Sequence, residues 1–286
     1  MKQPSSGAKL ARNTALVVLG LLFLAPFAWM LNASLKPEGA AIATPLALPE
    51  VARWDNYGAA LRQMGAFDES GPYAGFVTLA LNTLLITSLS IAFQILTCSL
   101  AGYAFACLRF RGRDALFVLV LAGMMLPAQA LVIPQFVLYQ QLGWIDTFLP
   151  LLAPCLLGGA PFFIFLFRQA FLSIPRDVVE AARMDGCGAW SIYARVMLPL
   201  AKPVVATVAI FTFLAAWNDL WTPLIYLNSP DNQTLTLALA GFSRTYRVAV
   251  EYLMAASTVV LLPCLVVYFL TQRVFVRGVQ LTATKG

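Results

Sequence analysis

Residues able to perform covalent chemistry are scarce in this chain of 286 residues. It contains no histidine, which removes the commonest general base and metal ligand. Its five cysteines form no C-x-x-C pair and lie in or beside apolar stretches or in one connecting loop, a pattern that argues against a disulfide framework or a zinc site. No lysine precedes a serine or threonine, so the phosphate-binding loop G-x-x-x-x-G-K-S/T is absent. We therefore expect no catalytic residue, bound metal or cofactor in the chain itself.

Polar residues that could bind a ligand occur inside otherwise apolar stretches. Asn218 and Asp219 are flanked by Trp217 and Trp221, and carboxylates and amides beside aromatic rings are the groups that bind sugars. An ionisable residue at membrane depth indicates a functional site by default, so these four residues, with Asn82, are candidates for a substrate path. Two alternatives stay open. Asp219 could lie near the membrane surface and pair with a neighbouring helix or its own loop, and Asn82 could simply bond another helix.

A second group of residues could dock another protein. The segment from Arg168 to Lys202 predicts two short helices, of which the first starts at Pro175 and ends at two glycines. Asp177 and Glu180 suit the positive N-terminal end of that helix. Residues three or four apart give it a face of small side chains: Val178, Ala181, Ala182 and Asp185. Small side chains let another surface approach the backbone closely; the alternative is an amphipathic hairpin that lies on the membrane.

Much of the protein surface must face lipid. Hydrophobic residues make up 60% of it and charged residues only 11%, whereas a soluble domain carries about 25% charged residues. A helix needs about 20 mainly apolar residues to cross a bilayer, and six stretches qualify: 14–32, 76–98, 115–134, 149–170, 203–227 and 252–272. The second can continue to Cys107, and Pro127 and Pro134 predict a kink and a break near the end of the third. We expect an all-α, polytopic bundle of six transmembrane helices that forms one domain over residues 1–286.

Lysine and arginine are concentrated on one side of these helices. With the N-terminus inside, 14 of the 19 basic residues fall in inner segments and 5 in outer ones, and cytoplasmic loops are enriched in such residues. Both termini are therefore expected in the cytoplasm. The first apolar stretch is longer than the roughly 7 to 15 residues of a signal-peptide core, so we expect a retained helix and a location in the inner or plasma membrane. The bases form no single stripe, which argues against nucleic acid as a partner.

The inner segment also carries a spaced pattern of residues. The pattern begins with E-A-A-x-x-x-G. After nine further residues come a β-branched residue, one residue of any type, and then L-P. The matching residues are Glu180, Ala181, Ala182, Gly186, Val196, Leu198 and Pro199. It resembles the EAA loop of bacterial ABC importer permeases, and Asp185 before the glycine fits too. The resemblance covers nearly the whole chain and is to the second permease of carbohydrate importers of the maltose and glycerol-3-phosphate type, which have a MetI-like fold. Further matching segments are residues 34–37, 56–57, 82–83, 109–112, 125–127, 217–219, 223–224 and the tail from 272.

The resemblance implies a mechanical role for the EAA loop, residues 168–202. Its first helix, within 177–188, would be a coupling helix that docks into a groove on a cytoplasmic ATPase. The residues implied in coupling are Asp177, Glu180, Ala181, Ala182, Asp185, Gly186, Leu198 and Pro199. The implied partners are a second, non-identical permease, two ATP-binding subunits that hold ATP and magnesium, and an extracytoplasmic solute-binding protein. A sugar would then cross by alternating access.

Three other interpretations have different sequence requirements. A secondary transporter would favour paired intramembrane charges or inverted repeats, whereas this chain has one clear intramembrane acid and no evident repeat. A membrane-embedded enzyme would need a cluster of nucleophiles, bases or metal ligands at one depth. Within the resembled family, glycerol-3-phosphate is the alternative substrate to a neutral sugar, and it would favour an arginine well inside a span, which the chain lacks.

Overall fold

The computed structural model describes residues 6–65, 74–245 and 250–283, and every regular element in those ranges is helical. In chain order, the first eight α-helices are α1 (Ser6–Ser34), α2 (Ala40–Ala43), α3 (Asp55–Met64), α4 (Ala74–Cys107), α5 (Arg113–Ala122), α6 (Ala128–Gln141), α7 (Leu149–Leu156) and α8 (Pro161–Leu172). After them come α9 (Arg176–Met184), α10 (Ala189–Ile192), α11 (Leu198–Leu200), α12 (Lys202–Trp217), α13 (Trp221–Tyr226), α14 (Leu235–Thr245) and α15 (Val250–Ala283). A π-helical turn, Tyr193–Met197, joins α10 to α11. The all-α class predicted from composition is confirmed.

Four helical segments of the described residues are long and apolar enough to cross a membrane: Arg12–Ser34, Ala74–Cys107, Leu149–Leu172 and Val250–Gln272. Two further spans are obtained if each of two bent helix pairs is counted as one crossing, which gives up to 6. Six is the number that the sequence predicts. The second span continues to Cys107, as the sequence allows.

The third predicted span is broken at a proline. Helix α5 with its 3₁₀ extension to Met125 meets α6 at an angle of 98°. Leu126, which precedes Pro127, has an extended ψ of 122°, because a proline ring disfavours helical geometry in the residue before it. The predicted break is confirmed at Pro127, whereas Pro134 lies inside α6.

The fifth predicted span, 203–227, is not one continuous helix. Helix α12 ends at Trp217 and α13 begins at Trp221, so the helix predicted over 203–227 is interrupted at residues 218–220. Pro223 supplies the reason, since its ring clashes with the carbonyl group four residues earlier, that of Asp219, in a continuous helix. In the first turn of a separate helix α13 the proline is tolerated.

The chain divides into two compact units, residues 1–76 with 238–262 and residues 77–237 with 263–286. The first unit buries charged groups in the segment that follows α1. The Lys36 ammonium, 1% exposed, donates to the carbonyl of Thr44, and the equally buried Glu251 accepts the Ala41 N–H at 2.8 Å. Backbone groups therefore bond the Lys36 ammonium and one oxygen of Glu251, whereas the second Glu251 oxygen has no partner among the described residues.

The second unit has a hydrophobic core built from α4, α8, α12 and the helical hairpin between α8 and α12, residues 176–200. The fully buried members include Cys98 on α4, Phe167 on α8 and Val208 on α12, and the hairpin contributes Ile192 and Met197. The hairpin is thus part of the folded body of this unit, because its second half supplies core side chains.

Candidate coupling site and transport cavity

Helix α9 is a short helix with a well-defined end. Pro175 precedes it in an extended conformation, and Asp177 lies in its first turn, where a negative charge is favourable. At the other end the N–H of Cys187 donates to the carbonyl of Ala182, and the N–H of Gly186 donates to that of Arg183, both at 3.0 Å. These two bonds form a Schellman motif, which requires a left-handed residue. Gly186 fills that position with φ of +79°.

The exposed face of α9 carries most of the residues predicted for coupling. Asp177, Glu180 and Ala181 are exposed, and so are Asp185 and Gly186. Near them the apolar side chain of Met184 is 83% exposed. A partner can therefore contact acidic, small and apolar groups on one short helix.

The remaining predicted coupling residues point elsewhere. Ala182 is only 9% exposed and belongs to the core of the second unit, so the two neighbouring alanines have different surroundings. Leu198 packs against the same core, and Pro199 is exposed at the start of α11. The small-residue face expected from spacing is therefore divided: Ala182 holds α9 to the protein, and Ala181 remains accessible.

Two hydroxyl groups of helix α4, those of Ser99 and Tyr103, bind the hairpin, residues 176–200, to this helix. The Tyr103 hydroxyl donates to the carbonyl of Ala189 at 3.1 Å, and the hydroxyls of Ser99 and Tyr193 are 2.7 Å apart. The rings of Tyr103 and Tyr193 also contact each other, with centroids 5.4 Å apart. Since Ser99 and Tyr103 are one turn apart on α4, this helix holds the hairpin at two points.

Helices α4 and α8 cross closely at Gly102. A β-carbon at this position would lie 2.6 Å from Cβ of Phe167 and 3.0 Å from the backbone nitrogen of Arg168. Only glycine allows this approach, which brings the hairpin-bearing end of α4 against α8. Sequence reasoning missed Gly102 and Tyr103, although small residues in an apolar helix are a known signal of close packing.

The surroundings of α9 are basic. A cavity of about 200 Å³ is lined by Arg109, Arg113, Arg176 and Arg183, with Glu180 as its acidic member. Arg113 forms an ion pair with Asp114 at 3.0 Å, and within the described ranges no ion pair involves the other three arginines or Glu180. The charge of the Glu180 carboxylate is thus free to meet a group on a partner.

The break between α12 and α13 exposes a carboxylate in the apolar part of the chain. Helix α12 has 16 residues, so the break lies about 24 Å from its start at 1.5 Å per residue. The Asp219 carboxylate accepts the N–H of Thr222 at 3.2 Å, which stabilises the first turn of α13. Asp219 also lines a cavity of about 280 Å³ within the second unit.

The other four substrate-path candidates do not line this cavity. Asn82 donates to the carbonyls of Asp231 and Gln233 at 2.7 and 3.0 Å. Trp217 is buried and stacks on Phe213. Asn218 donates back to the carbonyl of Leu214 at 2.8 Å, and Trp221 is 72% exposed. Of the five residues predicted for the substrate path, only Asp219 lines the cavity.

An acidic residue that sequence reasoning missed organises the segment after α13. The Asp146 carboxylate accepts the N–H groups of Asn228 and Ser229, both at 2.9 Å, and contacts the Ser229 hydroxyl. The hydrogen bond from the Ser229 side chain, followed by the one from its backbone, lowers the pKa of Asp146 to about 2. Asp146 itself has a positive φ of 62°. Such a residue is visible only in the folded protein, because its partners lie more than 80 positions away.

Known proteins resemble this chain in both sequence and fold. An arabinooligosaccharides transport system permease protein of Bacillus subtilis is 32% identical over 97% of this chain and 96% of its own length. A diacetylchitobiose uptake system permease protein of Streptomyces coelicolor is 30% identical over 91% of this chain and 84% of its own. The crystal structure of a bacterial ABC transporter involved in the import of the acidic polysaccharide alginate contains a chain that matches with a TM-score of 0.79 and 25% identity, covering 96% of this chain and 99% of that one.

The family resemblance inferred from the EAA pattern is confirmed by these matches. Residues 98–281 match the family described as "Binding-protein-dependent transport system inner membrane component". This segment contains the hairpin, the helix break and most of α15. The chain belongs to the family of binding-protein-dependent transport system inner membrane components and is a multi-pass membrane permease.

Proposed function

We propose that this chain is the permease subunit of an ABC importer that carries a neutral sugar into the cytoplasm by alternating access. The single observation that carries the proposal is the form of the hairpin. Its exposed helix α9 ends in a glycine-dependent motif, and its second half is bonded to α4 by Tyr103 and Ser99. An exposed contact surface that is rigidly joined to a long transmembrane helix suits a part that transmits force.

Separate ATPase subunits supply that force in the proposal. The chain has no phosphate-binding loop, so ATP and magnesium are bound by partners and this chain performs no covalent chemistry. Glu180 would meet a basic or donor group of the ATPase, and Ala181 and Gly186 would allow close contact. A second, non-identical permease completes the pathway, and a solute-binding protein delivers the substrate outside.

In the proposal, the hairpin and both termini face the cytoplasm. The basic residues around α9 and near both termini support this orientation, because cytoplasmic loops are enriched in lysine and arginine. In this orientation α9 faces the compartment that contains ATP, which the coupling role requires.

The names of the relatives support a sugar as the substrate. The relatives described above are named for arabinooligosaccharides and diacetylchitobiose, and a further relative is a lactose transport system permease protein of Rhizobium radiobacter, 33% identical over 69% of this chain. Among the residues that the structure describes, Asp219 is the only charged one that lines the cavity beside the helix break, which favours a neutral substrate over a phosphate such as glycerol-3-phosphate.

Purification of the assembled complex tests the proposal. The tagged chain, expressed with its native neighbours and extracted in a mild detergent, should retain an ATPase subunit. Proteoliposomes with that complex and the binding protein should take up at least one sugar from a panel of arabinotriose, lactose, diacetylchitobiose and maltotriose when ATP is present. Absence of an ATPase, or uptake that continues without ATP, would contradict the proposal and favour a secondary transporter.

A further inference from the structure

The cavity beside the helix break has a polar lining in a membrane-spanning body. The polar side chains come from four parts of the second unit: Thr83, Ser90, Gln94, Thr212, Asp219 and Thr234. Irregular backbone at membrane depth is tolerated where it lines a cavity or is buried in protein. The broken helix and the polar lining thus occur together, as in transporters that bind substrate at interrupted helices.

Three of these side chains have unused hydrogen-bonding capacity. The hydroxyl of Thr212 is buried and has no partner among the residues that the structure describes. The Asp219 Oδ1 atom accepts the Thr222 N–H, and its second oxygen has no bond in the described ranges. The Gln94 amide nitrogen donates to the Cys98 sulfur at 2.7 Å, which leaves its oxygen as an acceptor. Buried polar groups are normally satisfied, so the Thr212 hydroxyl indicates a missing partner, and the Asp219 and Gln94 oxygens can accept further hydrogen bonds.

The charge of the lining selects among possible partners. The described residues that line the cavity include no lysine or arginine, and Asp219 contributes their one carboxylate. A carboxylate would repel a phosphate or a uronic acid in this environment. Hydroxyl groups suit it, because each hydroxyl is both a donor and an acceptor.

We propose that this cavity is a subsite of this subunit for one ring of a neutral sugar. Two hydroxyls of the ring donate to Asp219 and to the Gln94 oxygen, and the Thr212 hydroxyl forms a hydrogen bond with a third hydroxyl of the ring. Phe163 and Pro223 give an apolar wall for the C–H face of the ring. The proposal rests on the proposed function, and it adds that this chain binds the sugar directly.

The size of the cavity limits the ligand to about one ring. Its volume of about 280 Å³ lies just below the range of about 300 to 1,000 Å³ that is typical of small-molecule pockets. A longer oligosaccharide would extend beyond it, with one terminal residue inserted.

Two native cysteines allow a direct test in the assembled transporter. Cys155 lines this cavity, and Cys264 lines a separate, apolar one with Ile210 and Tyr268. The complex in proteoliposomes is treated with N-ethylmaleimide, and labelling of each cysteine is measured by mass spectrometry. The probes are the neutral sugar that the complex transports and an alginate trisaccharide. With the sugar at ten times its dissociation constant, labelling of Cys155 should slow about tenfold, whereas labelling of Cys264 should not change.

Substitutions connect protection to the proposed contacts. Asp219→Asn and Thr212→Val keep the side-chain volume, and each should weaken protection of Cys155 by about threefold to tenfold, the value of one hydrogen bond. Thr258→Val, a buried threonine outside the cavity lining, is the matched control and should protect as the native protein does. The alginate trisaccharide should give no protection.

The outcomes separate this inference from the proposed function. A complex that transports a neutral sugar without protecting Cys155, or whose Cys155 never reacts, would overturn the subsite and leave the transport role intact. Protection by the alginate trisaccharide, or equal protection in all three variants, would also overturn it. A complex that transports no sugar would contradict the proposed function itself.

Discussion

Replacement of Gly186 tests the hairpin geometry most directly. The residue has φ of +79°, and a β-carbon there would have nothing within 4 Å, so a substitution costs backbone energy without a clash inside this chain. An L-residue other than glycine in this conformation costs about 1 to 2 kcal/mol. If the docked hairpin requires the left-handed residue, Gly186→Ala should weaken binding of the ATPase by about 5-fold to 30-fold.

A titration of ATPase onto the permease in nanodiscs measures this effect. Asparagine tolerates the left-handed conformation better than alanine, and β-branched residues tolerate it worst, so the affinity should fall in the order Gly, Asn, Ala, Val at position 186. Gly188 is the matched control, since its φ is −73° and its β-carbon position is also open; Gly188→Ala should bind nearly as the native chain does. Native affinity in Gly186→Ala would refute the backbone argument. An asparagine variant weaker than the valine variant would show instead that side-chain polarity against the partner decides.

Three further predictions follow from the same structure. Gly102→Ala places a β-carbon 2.6 Å from a phenylalanine on α8 and should destabilise the protein by about 1 to 3 kcal/mol in thermal unfolding, whereas Gly123→Ala, with open space at its β-carbon, should change little. The pKa of Asp146 is lowered to about 2, so its carboxylate stabilises the fold fully above about pH 4, the ordinary pKa of an aspartate, and this stabilisation is lost as the pH falls towards 2. Asp146→Asn should therefore reduce the dependence of the unfolding temperature on pH in this window. An unchanged dependence would contradict the role assigned to Asp146. Glu180→Lys should abolish sugar uptake and coupled ATP hydrolysis with normal membrane insertion, whereas Glu180→Gln should retain part of both, and normal uptake by the lysine variant would contradict the coupling role.

Much of the fold could be predicted because lipid imposes simple rules. Apolar length located the helices, and Pro127 located the break after α5, since both depend on local sequence alone. The interruption after Trp217 was missed because the stretch remains apolar on both sides of it, and one proline six residues later decides where the helix ends. A local pattern of hydropathy does not contain that information.

The candidate sites divide in the same manner. The EAA pattern identified α9, because its requirements for small residues and a terminal glycine are local. The anchors Ser99 and Tyr103 and the cavity residues Gln94 and Thr212 were not identified as sites, because their roles depend on helices that meet only in the folded protein. Ala182 was expected on the docking face, whereas it is buried in the core of the second unit.

Helix α4 contains 34 residues and no proline, which makes it about 51 Å long at 1.5 Å per residue, well beyond a hydrocarbon layer of about 30 Å. Near one end it presents Thr83 to the cavity, and near the other it holds the hairpin through Tyr103. A stiff rod that joins these points moves as one piece, so under the proposed function a tilt imposed at the hairpin end would shift the cavity wall without an intervening hinge. A break in the middle of α4, for example by Ala92→Pro, would leave both ends intact, and movement at one end would no longer be transmitted to the other.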